Sequence, residues 1–288
     1  MANRKTVMYQ ITETSEFMMS FVIITKQNNA IVIDGGRPLD MPLLKQYVGG
    51  RHISAWILTH AHEDHISGFI SEYNKNKWAD FDVEKVYYHF PPMSIIDNHN
   101  VRDYEYFKSE LLETLPSFLE ILPEFQDRAC EVSQGDVINI DEVKIEFIFS
   151  YHEELTNNLM NDSSLVFKLS TPKKSVMFLG DIGPDAGDIL YLESKEKLKA
   201  DMVQMAHHGG LCCGMEVYAA IAPKVCLWCS RKESYEGTKY PKVMDDKEKL
   251  KELGWLRFHT VPVTREWMRQ LGVKKHYVTK DGTNKIVL

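Results

Sequence analysis

Residues 59–68 read Thr-His-Ala-His-Glu-Asp-His-Ile-Ser-Gly, directly after an apolar run that predicts a strand ending at this point. Four side chains that commonly bind metal ions fall within six residues, and these are His60, His62, Asp64 and His65. Imidazole and carboxylate groups suit zinc, iron or manganese. The spacing predicts that His60 and His62 face one metal ion. It predicts that Asp64 and His65 reach a second ion a few ångströms away.

This motif resembles the H-x-H-x-D-H signature of the metallo-β-lactamase superfamily. Three further stretches resemble later family motifs in the same order, and these are Ala30-Ile-Val-Ile-Asp-Gly-Gly (30–36), Ser175-Val-Met-Phe-Leu-Gly-Asp-Ile-Gly (175–183) and Asp201-Met-Val-Gln-Met-Ala-His-His-Gly-Gly (201–210). The resemblance implies an α/β fold, the αββα four-layer sandwich, in which two mixed β-sheets pack face to face between helices. We therefore expect a single hydrolase domain over residues 1–288, with a lid or insertion at about 72–130.

Within the superfamily, three details resemble the ComEC-type branch, the hydrolase domain attached to a DNA-uptake channel. They are the strand entry Asn161-Asp-Ser-Ser-Leu-Val-Phe, the turn His207-His208-Gly209, and the ending Tyr277-Val-Thr-Lys-Asp-Gly-Thr-Asn-Lys-Ile, which resembles a closing hairpin. If this resemblance holds, the chain is the hydrolase part without the channel.

The resemblance implies two divalent metal ions, with zinc favoured and manganese or iron as alternatives. Asp181 is expected to bridge both ions, because a buried aspartate at the end of an apolar run needs a cation as partner. Gly180 before it lets the backbone approach closely. Adjacent residues at a strand end point apart, so one of His207 and His208 should be a ligand and the other should face the substrate. We favour His207 as the ligand that completes the second metal site, and His208 as a phosphate contact or proton donor.

The first metal site departs from the wider family. Most members place a third histidine shortly before the strand that begins near residue 164, whereas this chain has Asn161-Asp162. Asparagine is a weak zinc ligand, so this ion is expected to bind loosely or to be completed by water. His152 is the nearest upstream histidine and is the alternative ligand.

Other candidate residues have supporting or purely structural interpretations. Asp34 is expected to orient the motif through hydrogen bonds to the loop or to a ligating histidine. Cys226 and Cys229 match C-x-x-C, but alternation along a strand puts their sulfurs on opposite faces, so we interpret them as packing residues. Cys212 and Cys213 follow the histidine turn and are expected to line the pocket.

Composition limits the function classes. The 288 residues carry a net charge of −7, which weighs against a general nucleic-acid binder, although nucleic acid stays open as a substrate. No apolar stretch approaches the roughly 20 residues that span a bilayer, and the N-terminus lacks a signal-like apolar core. Five cysteines without framework spacing favour a reducing compartment. We expect a soluble cytoplasmic protein without a membrane partner. The oligomeric state is left open.

The pattern of apolar residues predicts several elements. Strands are predicted at Phe17–Thr25 and Ala30–Asp34, joined by a turn at 26–29, and at 86–90 and 143–149. Apolar residues at helical spacing over 98–122 predict a helix that runs into Pro116. A second short helical turn is predicted at 118–122. Short helices are also predicted at 217–221 and 247–253.

The leading functional prediction is metal-dependent hydrolysis of a phosphodiester or related phosphate ester. Two divalent ions about 3.5–4 Å apart can share a hydroxide and polarise a substrate oxygen. Asp64 would hold the nucleophile and accept its proton, and His208 would protonate the leaving group. The alternatives are hydrolysis of a lactone, thioester or β-lactam, an iron-dependent redox protein on the same fold, and a metal-binding interaction protein without activity.

Overall fold

The computed structural model describes residues 4–97, 105–210, 212–238 and 260–288, which form two β-sheets and their flanking helices. The first sheet contains β1 (Val7–Gln10), β2 (Phe21–Ile24), β3 (Ala30–Ile33), β4 (His52–Ile57), β5 (Asp82–Val83), β6 (Val86–Tyr88), β7 (Ala129–Glu131) and β15 (Asn284–Val287). The second sheet contains β8 (Val137–Ile140), β9 (Val143–Phe149), β10 (Val166–Ser170), β11 (Ser175–Phe178), β12 (Met202–Gln204), β13 (Val225–Trp228) and β14 (Lys275–Val278).

The helices lie between and beyond these strands in the sequence. They are α1 (Met41–Val48), α2 (Glu63–Asn76), α3 (Met93–Asp97), α4 (Glu105–Ile121), α5 (Leu159–Asp162), α6 (Pro184–Ser194), α7 (Met215–Ile221), α8 (Lys232–Glu236) and α9 (Val261–Gln270). No helix in the described part of the chain is long and apolar enough to cross a membrane.

Both sheets are mixed, and they repeat one plan. In the first sheet, strands β15, β1, β2 and β3 are antiparallel neighbours, and β4, β6 and β7 continue in parallel from β3. In the second sheet, β8 to β11 are antiparallel neighbours, and β12, β13 and β14 continue in parallel from β11. The parallel half of each sheet therefore directs several strand ends toward one edge.

The hydrophobic core has three parts, which define four layers. Between the sheets, Phe21, Phe167 and Phe178 pack with ring centroids 5.0 to 5.1 Å apart. A second cluster lies between the first sheet and helices α1, α2 and α4, and a third between the second sheet and helices α6, α7 and α9. The predicted αββα sandwich is confirmed.

Alternation along the strands explains how one segment serves two layers. In β9 the side chains of Val143, Ile145 and Phe147 enter the core between the sheets, whereas Ile148 joins the cluster under the helices. The predicted hairpin between residues 21–24 and 30–33 is also confirmed, with Phe21 opposite Ile33.

Three predictions of local structure were wrong. The strand predicted from Phe17 begins only at Phe21, because residues 17–20 lie against the motif, where Met19 N donates to Asp64 O (3.1 Å). The helix α4 passes through Pro116 instead of ending there. Leu115 and Phe118 on either side are fully buried, and their packing offsets the backbone hydrogen bond that proline cannot make.

The ending of the chain is the third correction. The predicted closing hairpin over 277–286 does not form, because β14 pairs with β13 in the second sheet while β15 crosses to the first sheet and pairs with β1. The strand at 143–149 and the helix at 217–221 are confirmed as β9 and part of α7. The helix predicted at 247–253 lies outside the described residues.

The described part of segment 72–130 contributes to the outer layer beside the first sheet. Leu115, Phe118 and Phe125 pack in one cluster with Trp78 and Phe69. Residues 98–104 lie outside the described residues, so a lid over the site stays a prediction.

We expect Phe178→Ala to lower the free energy of unfolding by about 3–5 kcal/mol, because it empties a site between the two sheets. Leu192→Ala is the control, since Leu192 is 77% exposed, and should change it by less than about 0.5 kcal/mol. Urea denaturation of both variants with excess chelator measures the difference without a contribution from bound metal. Equal values for the two variants would contradict this account of the core.

Candidate metal centre

The candidate site lies where strand ends of the two sheets meet. His60 and His62 lie in the extended segment after β4, and His62 caps helix α2, whose first turn carries Asp64 and His65. A backbone hydrogen bond from Leu165 N to Thr59 O (2.9 Å) joins this segment to the second sheet. The motif is therefore fixed to both sheets.

The second sheet supplies the remaining candidates from two neighbouring parallel strands. Asp181 follows β11, and His207 and His208 follow β12. A hydrogen bond from His207 N to Gly180 O (3.1 Å) holds the two strand ends together. Gly180 has φ +54°, and a Cβ there would lie 2.8 Å from Ser164 Cβ. The close approach expected of Gly180 is confirmed.

Asp34 orients the motif, as the sequence predicted. Its carboxylate accepts hydrogen bonds from Thr59 N and Thr59 Oγ1, both at 2.8 Å, and lies 2.7 Å from His65 Nδ1. Because Nδ1 of His65 is held in this way, its Nε2 faces the centre of the site. Asp34 has φ +52°, a conformation that its bonds to the loop maintain.

The predicted ligands converge on one buried volume. His65 Nε2 lies 3.4 Å from Asp181 Oδ2 and 3.8 Å from Asp64 Oδ2, and His60 Nε2 lies 3.0 Å from His62 Nδ1. Two groups have ligand atoms that all lie within 4.8 Å of one another, and these are His60 with His65 and Asp181, and Asp64 with His65 and His208. His62 joins this set through its contact with His60, and neither of the two groups includes His62 or His207.

The two adjacent histidines do not point apart, contrary to the expectation from an extended strand end. His207 and His208 have φ of +49° and +55°, so both are left-handed. As a result, His207 Nε2 and His208 Nε2 both face Asp181 Oδ2, at 3.9 and 3.4 Å. Such strained residues persist where the surrounding structure fixes them, often at functional sites.

Each of these rings is held through its other nitrogen. His207 Nδ1 lies 2.9 Å from Cys212 Sγ, and His208 Nδ1 donates to the carbonyl oxygen of Cys229 at 2.9 Å. His208 Nε2 lies 2.8 Å from Asp64 Oδ2. Distance therefore places His208, not the favoured His207, in the group with Asp64 and His65. Which of the two is a ligand stays a prediction.

Burial and charge divide the histidines into two classes. Burial lowers the pKa of His60 well below its ordinary value, that of His62 to about 4 and that of His207 to about 3. These rings are neutral at pH 7 and have a lone pair to give to a metal ion.

His65 and His208 behave in the opposite way. Burial alone would lower the pKa of each, but the nearby carboxylates, Asp181 first and then Asp64, raise both values, and that of His65 strongly. Burial would raise the pKa of Asp181, but His65 and His208 hold it well below its usual range. In the absence of another cation, the carboxylates therefore favour the protonated form of His65 and of His208.

Divalent cations fit this set of side chains. Among the described residues, the buried atoms His65 Nε2 and Asp181 Oδ1 have no hydrogen-bond partner, although His65 Nε2 lies near the other oxygen of Asp181. The buried carboxylate of Asp181 and the part-buried one of Asp64 lie beside imidazoles and need positive charge, and cations bound by nitrogen and oxygen supply it.

The two candidates for completing the first metal site differ in their surroundings. His152 stacks on Phe149 (ring centroids 4.9 Å apart, 11° between planes) and lies 3.5 Å from Glu154 Oε1. Asn161 is buried, donates from Nδ2 to Asn158 Oδ1 (2.8 Å), and its Oδ1 has no hydrogen-bond partner among the described residues. Asn161 therefore offers an unused oxygen, but the choice between them stays a prediction.

Sequence reasoning missed two residues that hold the site. Thr59 bridges Asp34 and the motif, and its position directly before His60 was the available signal. Ser164 Oγ accepts a hydrogen bond from Asp181 N at 3.0 Å. This serine lies in the quoted Asn161 strand entry, but only the folded chain brings it to Asp181.

Most of the cysteines have the structural roles expected of them. Cys226 packs in the cluster under the helices and Cys229 in the core between the sheets, so their interpretation as packing residues on opposite faces is confirmed. Cys212 lies at the site, as expected, through its contact with His207. Cys213, which was expected to line the pocket with it, instead packs in the cluster under the helices, against Gly187 of α6. No two of the five cysteines, all within the described ranges, form a disulfide.

A comparison with models of protein families agrees with the order of the sequence motifs. The model described as metallo-beta-lactamase superfamily matches residues 17–211, which include every predicted metal ligand. The chain belongs to this superfamily. Its members are largely metallo-hydrolases. The comparisons do not confirm the ComEC-type branch, and no curated protein matches the chain.

Several solved structures are similar to this chain at low sequence identity. The metallo-beta-lactamase fold protein YhfI from Bacillus subtilis is 11% identical (TM-score 0.52), with coverage of 98% of this chain and 100% of that one. CmlA, a diiron beta-hydroxylase from Streptomyces venezuelae, is 11% identical (TM-score 0.55), with coverage of 99% and 54%. A diphosphatase from the PhnP family is 14% identical (TM-score 0.43), with coverage of 77% and 85%. At such low identity the first two likenesses show the fold alone.

We expect metal-free protein to bind zinc in two separable steps, the weaker at the site of His60 and His62, because an amide replaces the usual imidazole there. Asn161→His should bring the two affinities together, whereas Asn157→His, at a nearby exposed position, should not. Calorimetric titration with a competing chelator measures both steps. Affinity should rise with pH, because His65 must lose a proton that the nearby carboxylates hold on it. Two equal steps in the unmodified protein would indicate that His152 or another residue completes the first site.

Proposed function

We propose that this protein is a metal-dependent hydrolase with a dinuclear centre, and that it cleaves a phosphodiester or a related phosphate ester. The observation that carries the first part is a pair of side-chain groups that share His65, one with His60 and the buried Asp181 and the other with the part-buried Asp64 and His208. Such a donor set suits two divalent ions, and we favour zinc over manganese and iron.

In this proposal His60 and His62 hold one ion, Asp64 and His65 hold the other, and Asp181 contacts both. When bound, two such ions would lower the pKa of a water molecule and offset negative charge on a substrate oxygen. The protein must keep the ligands in place, and the bond between Asp34 and His65 supports this role.

The proton transfers are assigned to Asp64 and His208. Asp64 is to accept the proton of the attacking water, and His208 is to donate a proton from Nε2 to the leaving oxygen. Two facts support His208 as the donor: the carboxylates raise its pKa, and its Nδ1 is fixed by the carbonyl of Cys229. His207, neutral at pH 7, is then the ligand of the second ion.

Distances argue for the reverse assignment, in which His208 is the ligand. His208 Nε2 lies 2.8 Å from Asp64 Oδ2 and 3.4 Å from Asp181 Oδ2, whereas His207 Nε2 lies 3.9 Å from Asp181 Oδ2. Metal content separates the two possibilities. A ligand's removal lowers the bound metal, whereas a proton donor's removal lowers turnover at unchanged metal content.

The phosphate ester is the finer part of the proposal. It rests on the resemblance of the Asn161 strand entry and the His207-His208-Gly209 turn to the ComEC-type branch. The net charge of −7 favours a small phosphate ester over a long nucleic acid, since phosphate contacts supply most non-specific affinity. The five cysteines do not have the spacing of a disulfide framework, so we propose the cytoplasm as the compartment.

A panel of substrates tests the reaction class. The zinc-loaded protein should hydrolyse bis-p-nitrophenyl phosphate, and turn over nitrocefin and acyl lactones far more slowly. Asp181→Ala should reduce the hydrolysis by at least about 1000-fold and lower the bound metal, since it removes a ligand and a buried charge. The matched control is His52→Ala, because His52 is an exposed histidine paired with Asp82 and Glu84.

The other outcomes each identify a different function. Preference for nitrocefin or a lactone would overturn the phosphate ester and leave the hydrolase. Iron in the purified protein, with no hydrolysis of any substrate, would favour the redox alternative. Full activity and metal content in Asp181→Ala would remove the proposed site altogether.

A further inference from the structure

A positively charged side chain lies beside the candidate centre, on the segment that supports His208. This segment follows β13, and its Cys229 carbonyl accepts the hydrogen bond from His208 Nδ1. Ser230 Oγ donates to the carbonyl oxygen of His208. Arg231 is the next residue in the chain. Its backbone therefore directly follows two residues that are hydrogen-bonded to His208.

Phe17 connects the Arg231 side chain to the same histidine. The centroid of the Phe17 ring lies 5.5 Å from that of His208, and Arg231 Cζ lies 6.0 Å from the Phe17 ring. A guanidinium at this distance from an aromatic face is attracted to it, which restricts where the side chain can lie. The Phe17 ring thus neighbours both Arg231 and His208, which places the cation on the same side of the site as His208.

The charge of Arg231 is only weakly compensated by the protein. In the described chain its one carboxylate neighbour is Glu233, whose Oε2 lies 3.8 Å from Arg231 Nε. That contact engages Nε and leaves the two terminal nitrogens for another anion. The side chain of Arg231 is 37% exposed, so a solute can approach it.

Arg37 provides an internal comparison, because it also contacts Phe17. Its Nε donates to the carbonyl oxygen of Phe17 (3.1 Å), its Nη1 contacts Glu63, and its Nη2 lies 3.9 Å from Glu16. The donors of Arg37 are therefore used within the protein. Of the two arginines at Phe17, Arg231 is the one with donors to offer a ligand.

We propose that Arg231 binds an anionic oxygen of the substrate's phosphate group, and that it determines the preference for phosphate esters over neutral substrates. This inference rests on the proposed function. A guanidinium presents several N–H donors in a plane and binds phosphate oxygens in a bidentate manner, which an ammonium group cannot do. Lactones and other neutral carbonyl substrates would gain nothing from it.

The test compares Arg231→Ala and Arg231→Lys in the zinc-loaded full chain. Inorganic phosphate is titrated by calorimetry, and bis-p-nitrophenyl phosphate is used for kinetics. Arg231→Ala should weaken phosphate binding and raise KM about 10-fold or more, since hydrogen bonds to charged groups are among the stronger ones. Arg231→Lys should recover part of both losses. Metal content and Tm should match those of the unmodified protein.

Arg269→Ala is the matched control, because Arg269 is an exposed arginine on α9 paired with Glu266 at 2.6 Å. It should change neither phosphate affinity nor KM. Unchanged phosphate affinity in Arg231→Ala, with diester hydrolysis intact in the unmodified protein, would overturn the inference and leave the proposed function. Loss of phosphate affinity in a protein that never hydrolyses the diester would overturn the proposed function and leave the anion site.

Discussion

The structure depends on the removal of two carboxylates from water at the junction of the two sheets, fully for Asp181 and mostly for Asp64. A carboxylate removed from water is costly unless positive charge compensates it. Within the described chain, His65 and His208 compensate both carboxylates, which raises the pKa values of these histidines, and Arg37 also interacts with Asp64. Divalent cations would compensate the same charge more completely. The arrangement of the surrounding residues follows from this requirement.

Each sheet contributes part of the cluster of carboxylates and histidines. The first sheet delivers the histidine motif at the end of β4, and the second delivers Asp181 and the paired histidines at the ends of β11 and β12. The halves are joined by direct bonds, such as that from Leu165 N to Thr59 O. Asp34, His207 and His208 have left-handed backbone conformations, and the side chains of all three face the site. The well-packed cores on both faces of each sheet can bear the cost of that strain.

Much of this could be predicted from the sequence, because the relevant signals are local. The spacing of His60, His62, Asp64 and His65 fixes their relation within one turn, and apolar runs mark the strands that end at the site. Long-range contacts could not be predicted in this way. Ser164 reaches Asp181 only after β10 and β11 pair, and β15 leaves β14 because β1 offers an open edge in the other sheet. The backbone conformation of His207 and His208 could not be predicted for a related reason. A strand end in the sequence predicts extended residues, whereas both histidines have positive φ in the folded chain.

The most direct test of the central claim is a crystal structure of the zinc-loaded protein with anomalous data measured at the zinc edge. The account predicts two peaks, one on either side of the Asp181 carboxylate, with His60 and His62 at one and Asp64 and His65 at the other. A single peak remote from Asp181, or an empty cluster in which these side chains contact only one another, would contradict it.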